Sequence, residues 1–118
     1  MSWEAKRKHK RVNLKISVEC RGKNFWQCVI TNDISAGGMF IATDRVEPPQ
    51  ANVDVMFEIG DDHKRPIHAK GRVTWVRTEP IIDEDGQIQP SGMGIMFTKL
   101  VPLMAKDYIE EMIKNSGG

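Results

Sequence analysis

At 118 residues, with 40% hydrophobic and 28% charged side chains and a formal net charge of +1, the chain has the size and composition of one folded domain. It is too short for a barrel of eight alternating strands and helices, which needs about 250 residues, and no run approaches the roughly 20 apolar residues of a membrane-spanning helix. Met1-Ser2-Trp3-Glu4-Ala5 has no apolar run behind it and two cysteines cannot build a disulfide framework, so a cytoplasmic domain is expected.

The chain opens on a basic arm, expected over residues 1–12. Residues 1–15 hold Lys6, Arg7, Lys8, Lys10, Arg11 and Lys15 against Glu4 alone, a net +5, while the other 103 residues hold eleven basic and fifteen acidic groups, a net −4. A long nucleic acid needs a broad basic surface, because affinity grows with the number of phosphates neutralised. A mildly acidic body with one short cationic segment suits a compact anion better, and DNA is not an expected partner.

A domain is expected over 13–114. From Asn13 to Arg21, Leu14, Ile16, Val18 and Cys20 alternate with polar residues, the period of two of a half-buried strand. Gly22-Lys23-Asn24 supplies a turn, and Phe25 to Thr31 returns as the second strand of a hairpin. Cys20 and Cys28 straddle this hairpin and would face each other in one register; buried thiols are the plainer reading. A short apolar run, Met39 to Ala42, follows Asn32-Asp33-Ile34-Ser35-Ala36-Gly37-Gly38, and Pro48-Pro49 then interrupts any ladder.

Val53, Val55, Phe57 and Ile59 mark a fourth strand. Ile67 to Arg77 reads as a fifth, with Ala69, Gly71, Val73 and Trp75 on one face. The segment Thr78–Ser91, acidic at Asp83-Glu84-Asp85, is expected to be an exposed loop, and Met93, Ile95 and Phe97 define a sixth strand. A helix over about 101–114 follows, starting at Pro102. Met104, Tyr108, Ile109, Met112 and Ile113 form its apolar stripe, expected to pack on the sheet. Residues 115–118 are a tail. The expected fold is all-β dominated: a six-stranded antiparallel β-barrel with the C-terminal helix packed outside.

Catalytic patterns are lacking. His9, His63 and His68 are scattered, two cysteines leave a zinc site two ligands short, and no nucleophile elbow, phosphate-loop lysine or dinucleotide fingerprint occurs. No enzyme, metal or cofactor is expected. Two other features carry chemistry. Arg7 and Arg11 each offer a planar fork that grips two acceptors, phosphate oxygens or guanine O6 and N7. Asp33 can accept from the N1–H and N2 donors on guanine's other edge, Ser35 can donate or accept, and Gly38 permits a positive φ or a close backbone approach. Each feature alone reads as a solvated arm or an ordinary turn; together they match both edges of a guanine.

Arg7-Lys8-His9-Lys10-Arg11 and Asp33-Ile34-Ser35-Ala36-Gly37-Gly38 resemble the two signatures of the PilZ domain family, R-x-x-x-R and [D/N]-x-S-x-x-G. Gly71-Arg72-Val73-Thr74-Trp75-Val76 and Gly92-Met93-Gly94-Ile95-Met96-Phe97 look like that family's later strands. The resemblance implies a barrel that binds the bacterial second messenger cyclic di-GMP. Arg7 and Arg11 would hold bases and phosphates, Asp33 and Ser35 would read guanine, and Gly38 would shape the turn. Lys6, Lys10 and Gly37 are further candidate contacts, and a basic Lys6 suits two messenger molecules rather than one. Trp75 shares its face with Val73 and so reads first as core; its functional reading is a platform at the barrel mouth that stacks on guanine. A downstream effector of motility, pilus or polysaccharide machinery, and a monomer or weak dimer, complete the expectations. A PilZ-like adaptor that binds such proteins without nucleotide is the rival.

Overall fold

The computed structural model describes residues 15–31, 33–60 and 64–116. The arm with Lys6, Arg7, Lys10 and Arg11 lies outside the described residues. Alternation of apolar and polar side chains builds the first hairpin as expected, from β1 (Ile16–Arg21) and β2 (Trp26–Thr31). Ile16, Val18 and Cys20 are buried on one face. The register sets Cys20 opposite Gln27 and Cys28 opposite Glu19, so the two thiols lie on opposite faces, one buried and one exposed.

The chain continues through β3 (Asp33–Ser35), β4 (Gly38–Ala42), β5 (Asn52–Ile59), β6 (Arg65–Arg77), β7 (Ile81–Ile82), β8 (Ile88–Gln89), β9 (Gly92–Val101) and α1 (Ala105–Ser116). Seven strands form one antiparallel sheet in the order β2-β1-β5-β6-β9-β4-β3, and β7 pairs with β8 in a separate ribbon. The sheet curls until β2 faces β4, and side chains bridge β2 to β4 and to the segment just after it. Thr31 Oγ1 donates to Phe40 O at 2.6 Å, Gln27 Nε2 to Arg45 O at 2.8 Å, and Thr43 Oγ1 to Gln27 Oε1 at 2.6 Å. The fold is thus an all-β barrel-like sheet with one C-terminal helix, as expected, with more strands than the six read from periodicity.

The extra strands have local causes. Asp33–Ser35 was expected to be turn, but it pairs with Phe40–Gly38 and leaves Ala36-Gly37 as the turn. The acidic loop folds as a ribbon because Asp83 organises it: its Oδ1 accepts from Asp85 N and Gln87 N at 2.9 Å each, and its Oδ2 accepts from Gln89 Nε2 at 2.8 Å. The Gln89 side chain first, and then the Gln87 amide, hold the Asp83 carboxyl below its ordinary value.

Val18, Cys20, Ile41, Val55, Ile67, Ala69, Val73 and Met93 meet inside the curl. The helix begins at Ala105 rather than Pro102. It sets Ala105 and Ile109 into this core, while Met104 of the expected stripe stays exposed. Tyr108 stacks under the Arg65 guanidinium, 4.4 Å from its ring centroid, which ties the helix to the start of β6.

One buried carboxylate has no counterpart in the sequence reading. Glu47, 1% exposed, accepts hydrogen bonds from Asn24 N (3.0 Å), Asn24 Nδ2 (2.9 Å) and Phe25 N (2.8 Å). It clamps the β1–β2 turn to the segment between β4 and β5. A buried charge is tolerated when hydrogen bonds replace its hydration, and here three donors converge on it.

Candidate functional site

The β3–β4 hairpin is built by its own polar side chains. Gly37 N donates to Ser35 Oγ at 3.2 Å, and Ser35 Oγ points back to Gly38 O at 3.5 Å, so the serine hydroxyl closes the two-residue turn. Thr31 Oγ1, which donates to Phe40 O, also accepts from Asp33 N at 3.1 Å, fixing the strand that carries Asp33. Gly38 does not take a positive φ. A β-carbon there would stand 2.1 Å from Ile95 O, so glycine is required by β9 passing behind the hairpin, not by a left-handed turn.

Beside the hairpin lies an aromatic platform. In strict alternation with Val73, Trp75 would point inward. Instead the ladder pairs Val73 with Ile95 and Trp75 with Gly94, leaving Thr74 as the extra residue of a bulge. Thr74 Oγ1 donates to Gly94 O at 3.2 Å and so satisfies the interrupted ladder. The bulge turns Trp75 out of the core, and it is 43% exposed. Its core reading is therefore corrected: the indole lies across the outer face of β9, over Gly94, where a β-carbon would stand 2.1 Å from Nε1.

Phe40 lies over Gly92 in the same way and stacks on Trp75, with centroids 5.2 Å apart and planes 12° from parallel. The Arg77 guanidinium stands 5.2 Å from the Trp75 centroid and 5.8 Å from that of Phe40, and donates to Pro90 O at 2.8 Å. Phe40, Arg77 and the paired glycines were not singled out from the sequence. The signal available was Gly92-Met93-Gly94, in which alternation puts both glycines on the outer face and clears room for rings.

An open cleft of about 330 Å³ lies between hairpin and platform. Asp33, Ser35, Gly37 and Gly38 form one wall, and Trp75 with Phe40 forms the other, over a floor of Gly94, Ile95 and Met96. Five of the nine candidate residues thus share one cleft; Lys6, Arg7, Lys10 and Arg11 lie outside the described residues. Hydrogen-bonding groups on one side and π-faces on the other suit a planar, polar-edged ring system. No group of three or more His, Cys, Asp or Glu able to hold a metal occurs among the described residues. Among the described residues no helix is long and apolar enough to cross a membrane.

The model of the PilZ domain family matches residues 5–114, and the chain belongs to that family. A solved structure with this fold is that of the Bacillus subtilis inhibitor of motility, MotI/DgrA. It aligns with a TM-score of 0.69 at 13% sequence identity, over 92% of this chain and 50% of that one. The chain therefore spans about half the length of that protein, and the likeness is one of fold. No curated protein matches the sequence.

Proposed function

We propose that this chain is a non-catalytic receptor for cyclic di-GMP, with the arm over 1–12 and the barrel with its helix over 13–114 acting together. The observation that carries this reading is the shared cleft. Asp33 and Ser35 present acceptors and a hydroxyl to a guanine edge, while Trp75, backed by Phe40, offers a face on which that guanine stacks. Gly37 and Gly38 keep the hairpin wall low.

The register of β1 supports the part given to the arm. Ile16 is paired with Thr31, two residues before Asp33. Arg11 stands five residues before Ile16, within about 17 Å of extended chain. Arg7 and Arg11 then grip phosphate oxygens or the O6/N7 edge, with Lys6 and Lys10 adding positive charge for one messenger molecule or two. Ligand draws the arm across the cleft, and a downstream protein of motility, pilus or polysaccharide machinery reads the altered surface. The receptor works in the cytoplasm as a monomer or weak dimer, without DNA.

The second reading is an adaptor that binds a protein partner without nucleotide; the fold shared with an inhibitor of motility favours it. Calorimetric titration of the chain with cyclic di-GMP, GTP and cyclic GMP separates the two. Saturable binding of the cyclic dinucleotide alone is expected, with Arg11→Ala and Asp33→Ala each weakening it about a hundredfold and leaving the circular dichroism unchanged, since charge-assisted hydrogen bonds are the strong ones. No heat from the cyclic dinucleotide would leave the adaptor reading.

A further inference from the structure

The outer face of the sheet does not end at the cleft. Met96, on the cleft floor, has Gly38 as its neighbour on β4 and Arg72 as its neighbour on β6. Strands lie about 4.8 Å apart, so the Arg72 backbone is one strand from the floor. Farther along the same two strands, Lys70 and Lys99 are direct cross-strand partners. All three cations are exposed.

Like charges set directly opposite in a ladder destabilise it, and no ion pair among the described residues joins these cations to a carboxylate. The ion pairs among the described residues are Arg21 with Glu19 and His68 with Asp54. Asp54, the β5 neighbour of Lys70, offsets part of the charge from the far side while it accepts from His68 Nε2 at 3.0 Å. Arg72, Lys70 and Lys99 have no ion-pair partner in that set. Nor is the cluster a by-product of a basic body, which carries a net −4 beyond residue 15. Three cations against one in-register carboxylate leave a positive surplus on this face, and an anion laid along it would offset that surplus.

The cluster flanks the cleft on the side away from Asp33, since β6 and β3 lie on opposite sides of β9 and β4 in the sheet. The cations of β6 and β9 lie beyond the floor, on the side of Arg72. We propose that Arg72, Lys70 and Lys99 form a phosphodiester subsite, a cationic shelf that continues the cleft across the barrel face. The inference rests on the receptor reading and deepens it. The phosphodiester comes either from the far side of one bound messenger or from a second copy stacked on the first. Arg72 supplies the fork nearest the cleft, and the two lysines supply point charges farther out.

The test is a titration of cyclic di-GMP followed together by heat and by backbone amide shifts, on the natural chain, Arg72→Glu/Lys99→Glu and Lys64→Glu, the last a surface-charge control away from the shelf. Shifts at residues 70, 72 and 99 alongside those at 33–38, with the double variant weakened about ten- to a hundredfold and the control unchanged, support the shelf. A stoichiometry of two that falls to one in the double variant assigns it to a second messenger molecule. A stoichiometry of one in both chains, with weaker binding in the variant, assigns it to the far phosphate of a single molecule. Shifts confined to 33–38 and 75, with the double variant binding as the natural chain does, overturn the shelf and leave the receptor reading standing. Absence of any shift or heat overturns both. Larger shifts at 70, 72 and 99 with a DNA duplex than with messenger overturn it in favour of a nucleic-acid surface.

Discussion

Replacing Gly38 by alanine separates a structural glycine from a ligand-binding one. The new β-carbon would sit 2.1 Å from Ile95 O, 3.2 Å from Ile95 C and 3.3 Å from Met96 Cα, all backbone atoms of β9 that no rotamer change can move. To accommodate it, β4 and β9 must part by more than an ångström at the point where Phe97 N donates to Gly37 O at 2.9 Å. Loss of about two backbone hydrogen bonds costs about 1 kcal/mol each, and overpacking adds about 1–3 kcal/mol. Gly38→Ala is therefore expected to lose about 3–5 kcal/mol, a large share of the roughly 5–15 kcal/mol that holds a domain together.

Gly37→Ala is the control, because a β-carbon there meets nothing nearer than Ser35 Oγ at 3.9 Å. Its expected change is within about 0.5 kcal/mol. Urea unfolding followed by circular dichroism measures both. With a slope of about 2 kcal/mol per molar, the Gly38→Ala midpoint should fall by about 2 M while that of Gly37→Ala stays in place. Equal midpoints for the two variants would refute the close approach of β9 as the reason for the second glycine. Loss of ligand binding in Gly38→Ala, taken alone, would say nothing about contact with ligand.

Three further outcomes follow from the geometry. Gly94→Ala puts a methyl group where the Trp75 indole lies, so on the proposed receptor function it should lift the ring and weaken cyclic di-GMP binding by about 1–3 kcal/mol, the loss also expected of Trp75→Ala, in calorimetric titration with the fold retained. Glu47→Gln keeps one acceptor oxygen but sets an amide N–H₂ either against Asn24 N and Phe25 N, which share Oε2, or against Asn24 Nδ2, which donates to Oε1; it should cost about 1–3 kcal/mol in urea unfolding without changing ligand affinity. Burial, and secondarily the nearby carboxylates of Glu47 and Asp54, raise the Cys20 thiol from an ordinary 9.0 to about 11. A raised folded pKa means its stabilising effect is whole below about pH 9 and is lost as pH climbs through 11. At pH 8 the native chain should take one equivalent of iodoacetamide, at exposed Cys28, and two in urea by mass spectrometry; two in the native state would contradict the burial of Cys20.

Much of this protein is written in short-range pattern. Alternation in Leu14–Cys20 and Val53–Ile59 depends only on each residue's neighbours, so the strands and the buried sets Val18, Cys20, Val55 and Phe57 could be read directly. Asp33, Ser35 and Gly38 were recognisable as one turn between two strands because turn chemistry is also local, though their strand pairing was not. The period of the helix stripe located Tyr108 and Ile109, while its start moved to Ala105 because β9 runs on to Val101.

What alternation could not show is where it breaks. Trp75 faces outward because β6 gains one residue against β9, and that mismatch exists only once two strands far apart in the chain are paired. The same cross-strand register brings Phe40 beside Trp75, sets Lys70 against Lys99, and puts Ile95 O behind Gly38. Glu47 is a charged residue in a proline-rich link that any composition rule would leave in solvent; it is buried because a turn twenty-three residues earlier needs an acceptor. The residues thus set which segments extend and which side each prefers. Only the pairing of distant strands decided which side chains share a surface, because register is a non-local property fixed by the packed sheet as a whole.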